Sequence, residues 1–253
     1  MNGSFSEPGW PDEAERNPQR VWVDHVRNLY WILDELRRRH PRVAFESCSG
    51  GGGRVDLGIL ARVEQVWTSD NTDALDRLRI QEGFSYAYAP HVMMCWVTDG
   101  PNFLTKRTVP LRYRFHVAMA GSLGIGGDLS HWTLQEMEEA QYFIATYKRI
   151  RSTIQNGLLY RLLSPRTGNV TATEYVARSG SEVVVFVWGH SQQFGETQVT
   201  LRLHGLEEDA HYVDEMNSAK YSGSYLMQKG LSMKLVGDFD SHIVHLVRTP
   251  AAR

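Results

Sequence analysis

The texture of the sequence changes once, near residue 165, and that change limits the folds open to it. Up to about residue 163, short apolar runs alternate with helical patterns. "VWVDHVRNLYWILDELRRRH" carries Val23, Val26, Tyr30, Leu33 and Leu36 at helical spacing. It ends on Arg37, Arg38 and Arg39, where the helix dipole favours cations. "RVAFES", "QVWTS" and "HVMMCWV" read as buried strands, "TDALDRLRIQEG" as a helix stopped by Gly83, and "VPLRYRFHVAMAGSL" as an apolar-faced helix. "GIGGDLS" reads as a glycine-rich strand end. The clearest helix is "TLQEMEEAQYFIATYKRIRSTIQNG", opened by a Thr133–Glu136 capping box and followed by Gly157. This rhythm predicts βα units on a parallel sheet. After "LLSPRTGN" come "TATEYVA", "EVVVFVWG", "TQVTLRLHGL", "HYVDEM", "LSMKLVG" and "SHIVHLVR", short β-branched runs separated by turn signals. They predict an antiparallel β-sandwich of roughly 80 residues. The expected division is therefore 1–165 and 166–253.

Composition removes several function classes. A net charge of −2 over 253 residues, with no long basic run, argues against a nucleic-acid partner. No stretch approaches the ~18 apolar residues of a membrane span, and the polar start lacks a signal-peptide core. Two cysteines, Cys48 and Cys95, predict a reducing, cytoplasmic setting without a disulfide framework. Two are also too few for a cysteine-built zinc site.

One stretch calls for a chemical explanation: "FESCSGGGGRVDLGIL", followed by "SDNTDA". Four consecutive glycines, Gly50 to Gly53, are costly to order. A phosphate-binding loop fails, because Gly53 is followed by Arg54 and Val55 rather than Lys and Ser or Thr. A dinucleotide fingerprint lacks its third glycine in register. Two readings remain: a flexible turn, or bare backbone that approaches a ligand at a strand's C-terminal end. Asp70 by itself reads as a helix N-cap, Trp67 as core, and Cys48 as a small buried hydrophobe.

The motifs "CSGGGGR", Asp56 and Gly58, "WTSDNTDA", "RFHVAMAG", "NGLLYRLLSP" and "GDFDSHIVHLV", in this order, resemble the α-galactosidases of glycoside hydrolase family 36. The resemblance covers almost the whole chain. It implies an α/β fold: half of a (β/α)8 TIM barrel, strands five to eight with their helices, followed by a C-terminal antiparallel β-sandwich. It implies hydrolysis of terminal α-galactosyl groups by two carboxylates, one attacking the anomeric carbon and one acting as acid/base. No metal or organic cofactor is implied. The acid/base position falls on Asp70, with Trp67 lining the galactose site and partly desolvating Asp70. Cys48 and Gly50 border the sugar's O2 side, and Asn2 bonds the sugar. The family's nucleophile would fall one residue ahead of Met1, as if the reading frame began further upstream, and its first four βα units have no counterpart here. Glu46 and Asp56 are weak substitutes, better suited to positioning the loop.

Two departures qualify that resemblance. Where the family shows a stretch like Met-Gly-Ala-His-Val-Ser, this chain has Met93, Met94, Cys95, Trp96, Val97 and Thr98. Larger side chains thus replace Gly, Ala and His, and Phe103 replaces a second family His. They either change the substrate geometry or plug an interior left empty by the missing half. Half a barrel also leaves unpaired strand edges. Self-association into a homo-oligomer is therefore expected. The alternative to an α-galactoside hydrolase is a non-catalytic oligomeric half-barrel that retains galactoside binding.

Overall fold

The computed structural model describes residues 19–250. Its contacts separate into two compact units, Met1–Asp70 and Asn71–Arg253.

In the first unit the sequence builds one long helix and a short βα segment. Helix α1 (Arg20–Arg39) forms as its spacing predicts, with Arg37, Arg38 and Arg39 in the last turn. None of its residues is buried. It is held by polar contacts instead. The Tyr30 hydroxyl donates to Asp56 Oδ1 at 2.7 Å, Arg62 pairs with Asp34 at 2.9 Å, and Arg37 pairs with Glu64. Strand β1 is shorter than expected, only Glu46–Ser47, and runs parallel to β2 (Gln65–Trp67) with Glu46 opposite Gln65. Between them lies a single helical turn, α2 (Leu57–Leu60).

The second unit begins with α3 (Ala74–Ser85). Gly83 does not stop this helix as predicted. The last turn is held from outside, since Arg161 donates to Ser85 Oγ at 3.0 Å and to its carbonyl. Strand β3 (Met93–Val97) pairs in parallel with β4 (Ser122–Ile125), linked through α4 (Leu111–Met119). Met93, Cys95 and Val97 join the core on the helix side, whereas Trp96 lies on the other face. A Cβ on Gly124 or Gly126 would stand 2.6 or 2.2 Å from the Trp96 ring, so those glycines make the floor on which it rests. Helix α5 (Leu134–Asn156) carries the predicted Thr133–Glu136 capping box.

The β-sandwich follows: β5 (Leu158–Leu163), β6 (Val170–Val176), β7 (Glu182–Gly189), β8 (Glu196–Leu201), β9 (His211–Asp214), β10 (Lys220–Ser222), helix α6 (Gly223–Gln228), β11 (Leu231–Val236) and β12 (Ser241–Arg248). A six-stranded sheet in the order β10-β9-β12-β7-β6-β5 faces the β11-β8 pair. Strand β7 explains the sheet's place. Period-two alternation sends Val183, Val185 and Val187 to one core with Leu201, Leu231 and Leu235. Val184, Phe186 and Trp188 go to the other core, with Phe115, Phe143 and Ile150 of α4 and α5. Both faces of the sheet are covered, which is why "EVVVFVWG" is apolar throughout rather than alternating.

Candidate active site

The glycine tract of the first unit folds back on itself. Ser49 and Gly52 form an isolated bridge, and the N–H of Gly53 donates to the Ser49 carbonyl at 3.2 Å. Gly50 and Gly51 have φ of +55° and +80°, a region that glycine enters at little cost. A second reason applies to the next pair. A Cβ on Gly51 would stand 3.0 Å from Ser69 Cα and 3.1 Å from Asp70 N, and one on Gly52 would stand 2.7 Å from the Thr68 carbonyl. The loop therefore lies against the backbone that carries Asp70. Gly50 is different: a Cβ there would meet nothing within 4 Å. The close approach seen here is to the chain's own residues 68–70, so the tract is packed rather than a flexible turn.

The loop's ends are tied. Arg54 donates to the Cys48 carbonyl at 3.1 Å, and Ser47 Oγ donates to the Arg54 carbonyl at 2.9 Å. Sequence reasoning had given Arg54 no part. Its signal was its place as the first long side chain after the tract. Cys48 is a free, exposed thiol rather than a buried hydrophobe.

Asp70 is exposed, and Trp67 is half-buried and donates its indole N–H to Asp70 Oδ1 at 2.8 Å. The tryptophan meets the carboxylate as a hydrogen-bond donor that fixes its orientation, not as the desolvating apolar wall expected from the sequence. Asp70 is also not a helix cap. That task falls to Asp73, whose buried carboxylate accepts from the N–H groups of Leu75 and Asp76, each at 3.0 Å, and pairs with Arg107. Two aspartates three residues apart divide the work: Asp73 is engaged by backbone N–H groups, Arg107 and Thr105, and Asp70 is open to solvent.

The remaining carboxylates near the loop have structural occupations. Asp56 accepts from Tyr30 and from the Ile59 N–H at 2.8 Å, and these bonds, the Tyr30 bond foremost, hold its carboxyl below the usual aspartate range. Gly58 supports the same contact, since a Cβ there would lie 2.5 Å from the Tyr30 hydroxyl oxygen. Glu46 accepts from Gln65 Nε2 at 3.2 Å, and desolvation raises its carboxyl above the ordinary value against that bond. Asn2 lies outside the described residues.

These features were compared with known proteins. The melibiase family model matches residues 1–157. The chain belongs to the melibiase family. A second model, the glycosyl hydrolase family 36 C-terminal domain, matches residues 170–246. The probable alpha-galactosidase C of Aspergillus flavus is 38% identical over 225 residues, covering 88% of this chain and 30% of the relative. Alpha-galactosidase AgaA of Geobacillus stearothermophilus is 39% identical over 236 residues, covering 92% and 32%. A crystal structure of an AgaA variant from that organism, in complex with raffinose, superposes with a TM-score of 0.88 at 35% identity, covering 98% of this chain and 34% of that one. The chain thus spans about a third of the length of the relatives it matches. Within that third, this family 36 member carries the expected half of a (β/α)8 barrel and the C-terminal β domain.

Proposed function

We propose that this chain provides the proton-transfer side of an α-galactosidase site acting on terminal α-galactosyl groups of small oligosaccharides such as raffinose. Asp70 is the acid/base, protonating the departing glycosidic oxygen and then taking a proton from water. Trp67 holds Asp70 and offers its ring to the apolar face of galactose, Cys48 and Gly50 border the sugar's O2 side, and Asn2 bonds the sugar. The observation that supports this reading is the packing of Gly51 and Gly52 against residues 68–70, together with the Trp67 hydrogen bond that orients the Asp70 carboxylate. Neither Glu46 nor Asp56 is assigned the nucleophile's part, since Asp56 is committed to Tyr30 and α2.

A second reading, a galactoside-binding half-barrel without turnover, draws support from Trp96, which covers the inner face of β3 and β4. Galactose release from raffinose separates the two, because its glycosidic oxygen leaves poorly without a proton. Activity in the parent chain that falls by about 10²–10⁴ in Asp70→Asn supports the first reading. Saturable galactose binding with no release by either protein supports the second. If neither binding nor release is seen, both fail.

The same reading includes the division into a catalytic part, 1–165, and a β domain, 166–253, supported by the gap between the two family matches, with β5 at the end of the first part already paired to β6 of the second. It also includes self-association, supported by the exposed Trp22, Val23, Val26, Trp31 and Ile32 of α1. A cytoplasmic setting is supported by two unpaired thiols. No helix among the described residues is long and apolar enough to cross a membrane.

A further inference from the structure

Within the second unit, α4, α5 and β12 enclose a cleft of about 240 Å³. Three buried side chains that line it have polar atoms without a hydrogen-bond partner: His116 Nδ1 on α4, Thr146 Oγ1 on α5 and Ser241 Oγ on β12. Their residues are 4, 6 and 1% exposed. Leaving a buried polar atom unsatisfied costs about 1–3 kcal/mol, so three in one cleft from three separate elements point to a missing polar occupant.

The charge of the lining says which kind. Arg112, Arg149 and His242 line the cleft, and no aspartate or glutamate does. Asp240, just outside, accepts from Arg112 at 3.0 Å and lies 3.3 Å from His242 Nε2, bracketing the two basic groups side by side. Arg149 has no ion-pair partner among the described residues, so its charge is not cancelled locally. Burial first, then Arg112 and His242, hold the His116 pKa down to about 3, so the ring stays neutral, able to donate one N–H without adding charge. The described histidines do not form a cluster of metal-ligating geometry, and a cation would meet two guanidinium groups.

We infer that this cleft binds a phosphate-type oxyanion, free or carried by a small organic molecule, through Arg149 and Arg112 at its rim and the His116, Thr146 and Ser241 side chains at its base. Guanidinium groups and neutral donors together match an oxyanion's charge and its several acceptor lone pairs. The volume admits more than the anion itself.

Titration calorimetry of the full chain with inorganic phosphate and, separately, glucose 6-phosphate tests the assignment, alongside NMR of the His116 ring. Arg149→Glu is the first variant, because this exposed side chain can be reversed in charge without disturbing the core. Ser241→Ala is the second. Saturable binding that shifts the His116 ring and weakens about tenfold or more in Arg149→Glu supports the site. A clear preference for glucose 6-phosphate then identifies an organic phosphate as the ligand, and no preference identifies the free anion. Absence of saturable binding for both probes, binding that leaves the His116 ring unmoved, or equal affinity in the parent and both variants overturns it.

Discussion

Helix α1 in the first unit and helix α5 in the second are of similar length, 20 and 23 residues, and both carry apolar side chains at helical spacing. In α5 that spacing buries Ala140, Phe143, Tyr147, Ile150 and Ile154 against α4 and the six-stranded sheet. In α1 it buries nothing: Trp31 is 67% exposed and Val23 50%. Two glutamates tell the same story in charge. Glu35 on α1 is part-exposed beside Arg38 and Arg39, whose hydrogen bonds lower its pKa to about 2. Glu174 on β6 is wholly buried, with only one carboxyl oxygen bonded, to the His204 N–H at 2.8 Å, and burial pushes its pKa up to about 8. An amphipathic pattern states that a helix needs a partner surface; it does not say that one is present. Among the described residues α5 has the partner, whereas α1 is held by hydrogen bonds, ion pairs and the Arg62 guanidinium over the Tyr30 ring.

The largest effect expected from this contrast is in α5. Ile150→Ala should lower unfolding free energy by about 3–4 kcal/mol in urea titration, through lost transfer energy and a cavity. A loss under about 1 kcal/mol would break the comparison. Next comes Glu174. Its folded pKa lies above the unfolded value, so the folded state binds the proton more tightly. Its contribution is complete below the unfolded pKa and is lost as pH rises toward 8. Stability should fall progressively across that window, and Glu174→Gln should flatten the profile. An unchanged profile in the variant would assign the pH dependence elsewhere. A smaller loss, about 1 kcal/mol, is expected for Thr133→Ala, which removes the capping box of α5. The smallest concerns α1. Trp31→Lys should change the stability of the separate chain by no more than about 0.5 kcal/mol. Its effect should appear in light scattering instead, as a shift toward smaller assemblies. A large stability loss without a change in size would mean that the α1 face is buried after all.

Local features were legible where neighbours in sequence are also neighbours in space. The capping box at Thr133 and Glu136 is one turn of helix, and it formed as read. The stop at Gly157 was also legible, but for another reason than a left-handed cap. Its φ is −77°, and a Cβ there would lie 2.6 Å from the Val176 carbonyl, so the residue is small to let β6 approach. Strand β5, β10 and α6 were missed. β5 and β10 are short segments that become strands by pairing with β6 and β9. The place of Trp96 over Gly124 and Gly126 was not legible, because the two glycines lie on a strand and loop some thirty residues further along the chain. At the candidate site, the motif did not say which aspartate caps the helix. Asp70 and Asp73 share a residue type and a neighbourhood, and only the direction of backbone N–H groups distinguishes them.

The sequence by itself determined the order of elements, the two textures and the glycine tract, because these depend on backbone preference and side-chain period over a few residues. The tertiary structure decided which apolar faces find partners, which carboxylate stays open and where three unpartnered polar groups meet beside two arginines. Those outcomes depend on distances between residues far apart in the chain. His116 and Ser241 are separated by 125 positions, and no local pattern records that they line one cleft.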